Sequence, residues 1–547
     1  MVRTVRRRPE QQPIRSPERA SIVVQPTLLK DGRNTPAFWL GCALVTVGVV
    51  LHLPMYWMGR HNGFVLVGMP MDAEMLWGML AIVVGVGFAG YGLLPRTAPR
   101  RSSATDVETI APPEDAPLTK AHWGLATLLA IALIIDIMKP ASLGFVTPGM
   151  RAEYGVSDEL VAWLPFAALA GTVFGSFVWG WLADIYGRRA SILLSSVMFI
   201  GTSICGAMPD FWWNVFMCFM MGAAAGGMLP VAYALLAEIM PTKHRGWSLV
   251  LVGGIGAVGG YFAASWCSAL LQPTFGWRIM WFLNLPTGLA LIALSPFLPE
   301  SVRFLQRVGR LDEARMTLAR FGLGIHKVAV ATVEPAARTV VKALKGHHLF
   351  GLTAALTLAA LTWGLVTFGL LLWLPSALVS AGRSVGASSA LIAQSTVLAA
   401  PTIVVCTLLY SRWSTKWSLV TMIVLTTAGL FALAAQEAGP QGLSEPLVPL
   451  TLIIIGSSGL IAILLPYTAE NFPLRIRGRA TGWIAGCSKL GGLLAQGLSV
   501  MGAVPKLSTA IMAVGVPAIL SMLLIMIYGH ETRKRDLRDL EAAEELG

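Results

Sequence analysis

Fourteen apolar runs, each close to the twenty or so residues a helix needs to cross bilayer hydrocarbon, dominate this chain of 547 residues. Two come early, at 38–58 and 75–94. Six start near Trp123, Glu159, Ala190, Phe211, Trp247 and Met280. Six more start near His348, Gly386, Trp417, Leu447, Gly478 and Ser508. Only 13% of the residues are charged, about half the share of a soluble domain. So little charge cannot cover a water-facing surface, so the solvent is lipid. In lipid a spanning segment must satisfy its own backbone groups, which makes each run a helix. The expected fold class is an all-α membrane protein.

The formal net charge is +12, but no polar domain carries it. Lys and Arg fall in alternate loops: eight in the tail before residue 38 and nine between Glu300 and His347. The segments "YGRR", "TKHR", "SRWSTK" and "RIRGR" are basic, while "QEAGPQGLSEP" has no Lys or Arg. This is the pattern of loops held on the cytoplasmic side, not a nucleic-acid face. It places both termini in the cytoplasm and the chain in a bacterial-type inner membrane. The N-terminal stretch lacks the apolar core of a signal peptide and reads as a tail. The six cysteines, Cys42, Cys205, Cys218, Cys267, Cys406 and Cys487, sit inside apolar runs without metal-ligand spacing. They read as packing residues, and no metal or cofactor is expected. HExxH, GxSxG and GxxxxGK[ST] motifs are absent, so enzyme chemistry has no foothold.

One sentence is written twice. "EIMPTKHRG" (238–246) and "ENFPLRIRG" (470–478) both read Glu-x-x-Pro-x-x-x-Arg-Gly, 232 residues apart. With the first two runs set aside, each follows the fourth run of a group of six. The core is a duplicated six-helix unit, an arrangement found in secondary transporters. The expected segments are a basic tail (1–37), an extra hairpin (38–94), a linker (95–122), a first bundle (123–299), a central loop (300–347), a second bundle (348–529) and a tail (530–547).

"GWLADIYGRR" (180–189) resembles the signature loop of the major facilitator superfamily, through Gly180, Leu182, Asp184, Gly187, Arg188 and Arg189. "PESVRFLQRVGRLDEA" (299–314) is similar to a segment of its sugar porters and organic-ion branches. The resemblance covers about 120–530. It implies two six-helix bundles, with the extra hairpin as an addition. It also implies that these loops are conformational latches, with Gly180, Asp184, Gly187, Arg188, Arg189, Glu238, Arg245, Glu470 and Arg477 as members. Physically, Gly180 allows close helix approach, and the acids can pair with the arginines across helix ends. The plainer alternative is a basic anchor. In the second half the loop is "LLYSRWSTKW" (408–417), without the Asp and both Gly.

The first core run, "IIDIMKPASLGFVTPGM", resembles the aromatic acid/proton symporter branch through Asp136, Gly144, Phe145 and Pro148, with Lys139 where that branch has a second Asp. Lys489, in "GWIAGCSKLGG", stands near the place where that branch often carries an Arg. Charges at mid-membrane cost about 2.5–3.5 kcal/mol on insertion scales, so they face a cavity and act there. Asp136, Lys139 and Lys489 are therefore candidate substrate contacts, with Asp136 the candidate for proton coupling. A closed Asp136–Lys139 ion pair one helical turn apart is the structural alternative, and for Lys489 it is snorkelling. Tyr233, Trp363 and Trp373 are aromatic candidates for stacking on a ring.

The expected activity is movement of a small organic anion, aromatic or otherwise a carboxylate, by alternating access with protons. The expected partners are a small-molecule substrate, protons and the lipid bilayer, with a further partner conceivable at the extra hairpin. A proton-driven drug exporter is the nearest alternative, weakened because the fifth core run is Gly-rich but lacks the Gly-Pro pair of such exporters. A membrane sensor that binds without transporting is another.

Overall fold

The structure, a computed structural model, describes residues 34–94, 117–322, 347–438, 446–472, 474–503 and 507–533. Most of both tails, most of the linker, half of the central loop and the side chains of Arg475 and Arg477 lie outside the described residues. The extra pair is α1 (Thr35–Asn62) and α2 (Ala73–Leu93). The first six helices are α3 (Lys120–Tyr154), α4 (Asp158–Tyr186), α5 (Arg188–Ala207), α6 (Phe211–Ile239), α7 (Lys243–Phe275) and α8 (Ile279–Phe297). Two short helices follow, α9 (Val302–Arg307) and α10 (Leu311–Arg320). The second six are α11 (Leu349–Ser380), α12 (Val385–Trp413), α13 (Thr415–Glu437), α14 (Leu447–Asn471), α15 (Leu474–Val500) and α16 (Ser508–Tyr528).

Thirteen of these helices are long and apolar enough to cross a membrane. The fourteenth expected span, α15, has 27 residues and ample length. Its glycines, Gln496 and Lys489 make it too polar to qualify by hydropathy, although it packs inside the bundle against α4 and α11.

Local chemistry sets the helix starts. Asn34 accepts the Ala37 amide (3.2 Å), Asp72 the Met75 amide (2.8 Å) and Asp210 the Trp212 amide (2.9 Å). Each satisfies an amide that the first turn leaves without a partner. The two halves repeat one packing plan: α3 runs along α7, and α11 along α15. Between the halves, α7 meets α12 and α14, α4 meets α15, and α3 meets α11. One layer of these contacts joins Ser268 to Ser389 (2.7 Å) and Tyr261 to the Leu371 carbonyl (3.0 Å). On the face carrying the basic loops, Gly246 lies against the Glu470 carboxylate. A cavity lies between these layers.

The extra hairpin belongs to the first half. Gly41 and Gly48 on α1 face Gly85 and Gly78 on α2, Gly92 meets the backbone of Asn34 and Phe38, and each series runs at a spacing of seven. With no hydrophobic drive between helices in lipid, such small residues supply the contact. The hairpin packs through Val45, Val49 and Met75 against Leu193, Val197 and Ile200 of α5. Its connecting loop donates the Leu66 amide to Glu153 (2.7 Å), which pairs with the fully buried Arg278 (2.6 Å). Tyr56 donates to the Phe275 carbonyl (2.8 Å).

A Cβ at Gly85 would lie 2.8 Å from the Gly41 carbonyl oxygen and 2.9 Å from the Val45 amide, whereas a Cβ at Gly87 meets nothing. Gly85→Ala should therefore destabilise the purified protein by about 1–3 kcal/mol, the usual cost of overpacking, while Gly87→Ala should be neutral. Thermal melting of the two variants side by side is the check.

Candidate functional site

The cavity between the halves holds about 930 Å³ of space not filled by atoms, its mouth included. Its walls are largely apolar, with two charges. Asp136 comes from α3 and Lys489 from α15, so each half contributes one. Neither has a hydrogen bond or an ion-pair partner among the described residues. The Lys489 ammonium lies 4.9 Å from the centre of the Phe368 ring and 5.8 Å from that of Trp363, a cation–π setting. Trp363 is fixed by its indole N–H, which donates to the Ser457 carbonyl (2.9 Å).

Helix phase decides which predicted residues reach the cavity. Asp136, Ile137, Pro140 and Ala141 line it from α3. At about 100° per residue, Lys139 points roughly 130° away from the middle of that arc. It is 1% exposed and its ammonium rests on the Phe199 ring of α5. The closed pair with Asp136 is not formed, and Lys139 does not join the cavity. Trp373 is also absent from the walls, its indole nitrogen buried without a partner among the described residues. Tyr233 and Trp363 are present.

Several wall residues carried no sequence signal. Thr172 and Tyr261 enter from the first half; Thr367, Phe368, Ser457 and Ser458 enter from the second. Residues Leu365–Leu370 form a π-helical turn in α11, a distortion common at functional sites. It carries Thr367 and Phe368 to the wall. Gln496 donates to the Phe368 carbonyl across the helix pair (2.6 Å).

The basic face holds a second constellation. Arg188 bonds Asp184 (3.0 Å) and Glu238 (3.2 Å), joining the ends of α4 and α6. Glu300 accepts the Arg188 amide (2.8 Å) at the start of α5, where a carboxylate suits the helix dipole. Ser301 donates to Glu238. Gly187 has φ +102°, and any Cβ there would strike the Glu300 carboxylate, so only glycine serves. Arg189 and Arg245 are engaged on this face as well. Gly180 departs from expectation: a Cβ there meets nothing within 4 Å. The close approaches of α4 are at Gly171 and Gly175, against Phe219 and Ala223 of α6.

The second half builds the same constellation from residues that the sequence reading assigned to a tail. Glu531 accepts the Thr415 amide (2.9 Å) and hydroxyl (2.8 Å) at the start of α13, and the Ser414 hydroxyl. Thr532 donates to Glu470 (2.6 Å), which also accepts Tyr410 (2.7 Å). Glu531-Thr532 thus repeats Glu300-Ser301, with Glu531 231 residues after Glu300. The signal was an acidic residue and a hydroxyl after the sixth run of each half. The side chain of Arg477 lies outside the described residues.

Comparison with known proteins agrees with this arrangement. Residues 128–496 match the family described as the Major Facilitator Superfamily. The niacin transporter NiaP of Acinetobacter baylyi is 24% identical over 392 residues, covering 70% of this chain and 87% of that protein. The 4-hydroxybenzoate transporter PcaK of Pseudomonas putida is 28% identical over 440 residues, covering 76% and 94%. The solved structure of the proton:xylose symporter XylE bound to 6-bromo-6-deoxy-D-glucose matches with a TM-score of 0.62. It is 16% identical, and the match covers 78% of this chain and 99% of that one. At that identity it shows the fold alone.

Burial works to raise the Glu531 carboxyl, but hydrogen bonds from Ser414, Thr415 and the Arg533 amide outweigh it and hold it below the usual glutamate range. A depressed carboxylate stabilises the fold above its unfolded value, about 4.3, and loses that effect as pH falls through the lowered one. Glu531→Gln should accordingly melt a few degrees below wild type at pH 7. The gap should close in acid, read from melting curves of the two proteins at both ends of the range.

Proposed function

The chain belongs to the Major Facilitator Superfamily, a family of multi-pass membrane transporters rather than enzymes, and on that footing we propose that it carries a small organic anion, an aromatic or other carboxylate, in symport with protons. The observation that carries this reading is Lys489, a cation beside two aromatic rings at the cavity wall, with no ion-pair partner among the described residues. An anion entering a cavity this apolar needs a counter-charge. The rings of Trp363 and Phe368 offer faces to a flat ligand. The relatives named for niacin and 4-hydroxybenzoate carry aromatic carboxylates by their names, which favours the same class here.

Asp136 is the proposed proton carrier. It lines the cavity without a hydrogen bond, so its protonation state is free to answer the occupancy of Lys489. When Lys489 turns to a substrate carboxylate, its attraction for Asp136 weakens and Asp136 binds a proton more readily. Substrate and proton then cross together. Lys139 has no contact with the cavity and no part in this scheme. The basic face is proposed to be cytoplasmic, in a bacterial inner membrane, with both termini there. The paired constellations at Glu238–Arg188–Glu300 and Glu470–Thr532–Glu531 are proposed to act as latches that open and close as the two halves alternate.

Two measurements test the site. Lys489→Ala should weaken equilibrium binding of a ring carboxylate at least tenfold, about 1.4 kcal/mol or more for a charged hydrogen bond, while Lys489→Arg should keep part of it. Equal binding by the Ala variant would refute the role of Lys489. For coupling, Asp136→Asn in proteoliposomes should exchange substrate across the membrane but fail to accumulate it under a proton gradient. Accumulation by that variant would place the proton site elsewhere.

A further inference from the structure

We propose that the Tyr233 hydroxyl reads a second polar group on the substrate, so that the preferred ligands are ring carboxylates that also bear a hydroxyl or a ring nitrogen. The proposal rests on the cavity being an organic-anion site. It adds which anions that site selects.

Tyr233 stands on α6 and lines the cavity. Its hydroxyl has no hydrogen-bond partner among the described residues. That is unusual in this protein. Tyr56, Tyr154 and Tyr467 each donate to a backbone carbonyl at 2.8 Å, Tyr261 to one at 3.0 Å, and Tyr410 to Glu470 at 2.7 Å. Tyr233 is half-buried and its hydroxyl opens on the cavity instead, where a ligand can meet it.

The unused hydroxyl has been given a place. It rests on the backbone of Gly253 in α7, so close that an added Cβ would clash with the oxygen. Gly253 itself lines the cavity. Any larger residue at 253 would push the phenol out of this position. The glycine therefore acts as a positioning residue for the hydroxyl.

The two halves then offer two polar points across one apolar space. Lys489 on α15 suits the carboxylate, next to Trp363 and Phe368. Tyr233, on the opposite half, can donate to a ring nitrogen or exchange a hydrogen bond with a ring hydroxyl. An unsubstituted ring leaves the phenol unpaired, and an unpaired buried group weakens binding. Selection between ligands of equal charge follows from that difference.

The test measures equilibrium binding of benzoate, 4-hydroxybenzoate and nicotinate to the full-length purified protein. Wild type should favour the latter two. Tyr233→Phe keeps the ring and should lose about five- to tenfold in affinity for those two, the worth of one hydrogen bond, while benzoate changes less than about twofold. Gly253→Ala keeps the hydroxyl but displaces it and should erase the same preference. If that variant does not fold, Tyr233→Phe decides alone. A uniform loss across the three ligands, or an unchanged ratio, overturns the proposal. If wild type binds none of the three, the organic-anion reading falls and takes this one with it. If wild type binds all three through Lys489 but the ratio ignores Tyr233, only this proposal falls.

Discussion

A charge inside hydrocarbon must find a partner, a cavity or a cost, and this molecule is arranged around that constraint. Asp136 and Lys489 stand in separate halves, face one apolar space and do not touch. Bonded to each other, they would form a strut of the kind whose desolvation cost offsets its attraction. Held apart, they leave the cavity polarised between the halves. The helices that carry them, α3 and α15, sit where one half meets the other. Lys139 shows the other way of meeting the constraint. It is wrapped in α3 and α5 and sits on an aromatic face instead of an acid.

Much of this was legible in the residues. Long apolar runs gave the helices, and the doubled Glu-x-x-Pro-x-x-x-Arg-Gly gave the duplication. Asp136 and Lys489 stood out because charge is rare in such runs. Lys139 stood out for the same reason and was misplaced. Residues i and i+3 are neighbours on a helix, but their spacing does not say which of them faces a cavity. That is decided by the helices packed around α3, which lie far away in sequence. Thr367 and Phe368 reach the wall through a π-turn that no local pattern announced. Gly180 matched a motif, yet the close backbone contact is made by Gly171 and Gly175.

The basic face gives a different lesson about repeats. The first half spells its constellation with arginines and an aspartate. The second half's signature loop lacks the Asp and both Gly. The structure keeps the geometry with other chemistry: Tyr410 and Thr532 engage Glu470, and Glu531 caps α13 as Glu300 caps α5. What persists between the halves is the carboxylate over a helix start and the hydroxyl that bridges to the neighbouring acid. Arg188 joins the acids in the first half; in the second, Arg533 donates its amide to Glu531 (3.1 Å) and its guanidinium to the Trp413 carbonyl (2.6 Å).

The extra hairpin has a mechanical corollary. It is seamed by glycines, packs on α5, and is tied through Leu66 to the buried Glu153–Arg278 pair. All of its attachments described here lie on one half. If the halves rock past each other as proposed, that half would displace more lipid and turn against greater drag. It would then serve as the stator, and the lighter six-helix half, which carries Lys489, as the rotor.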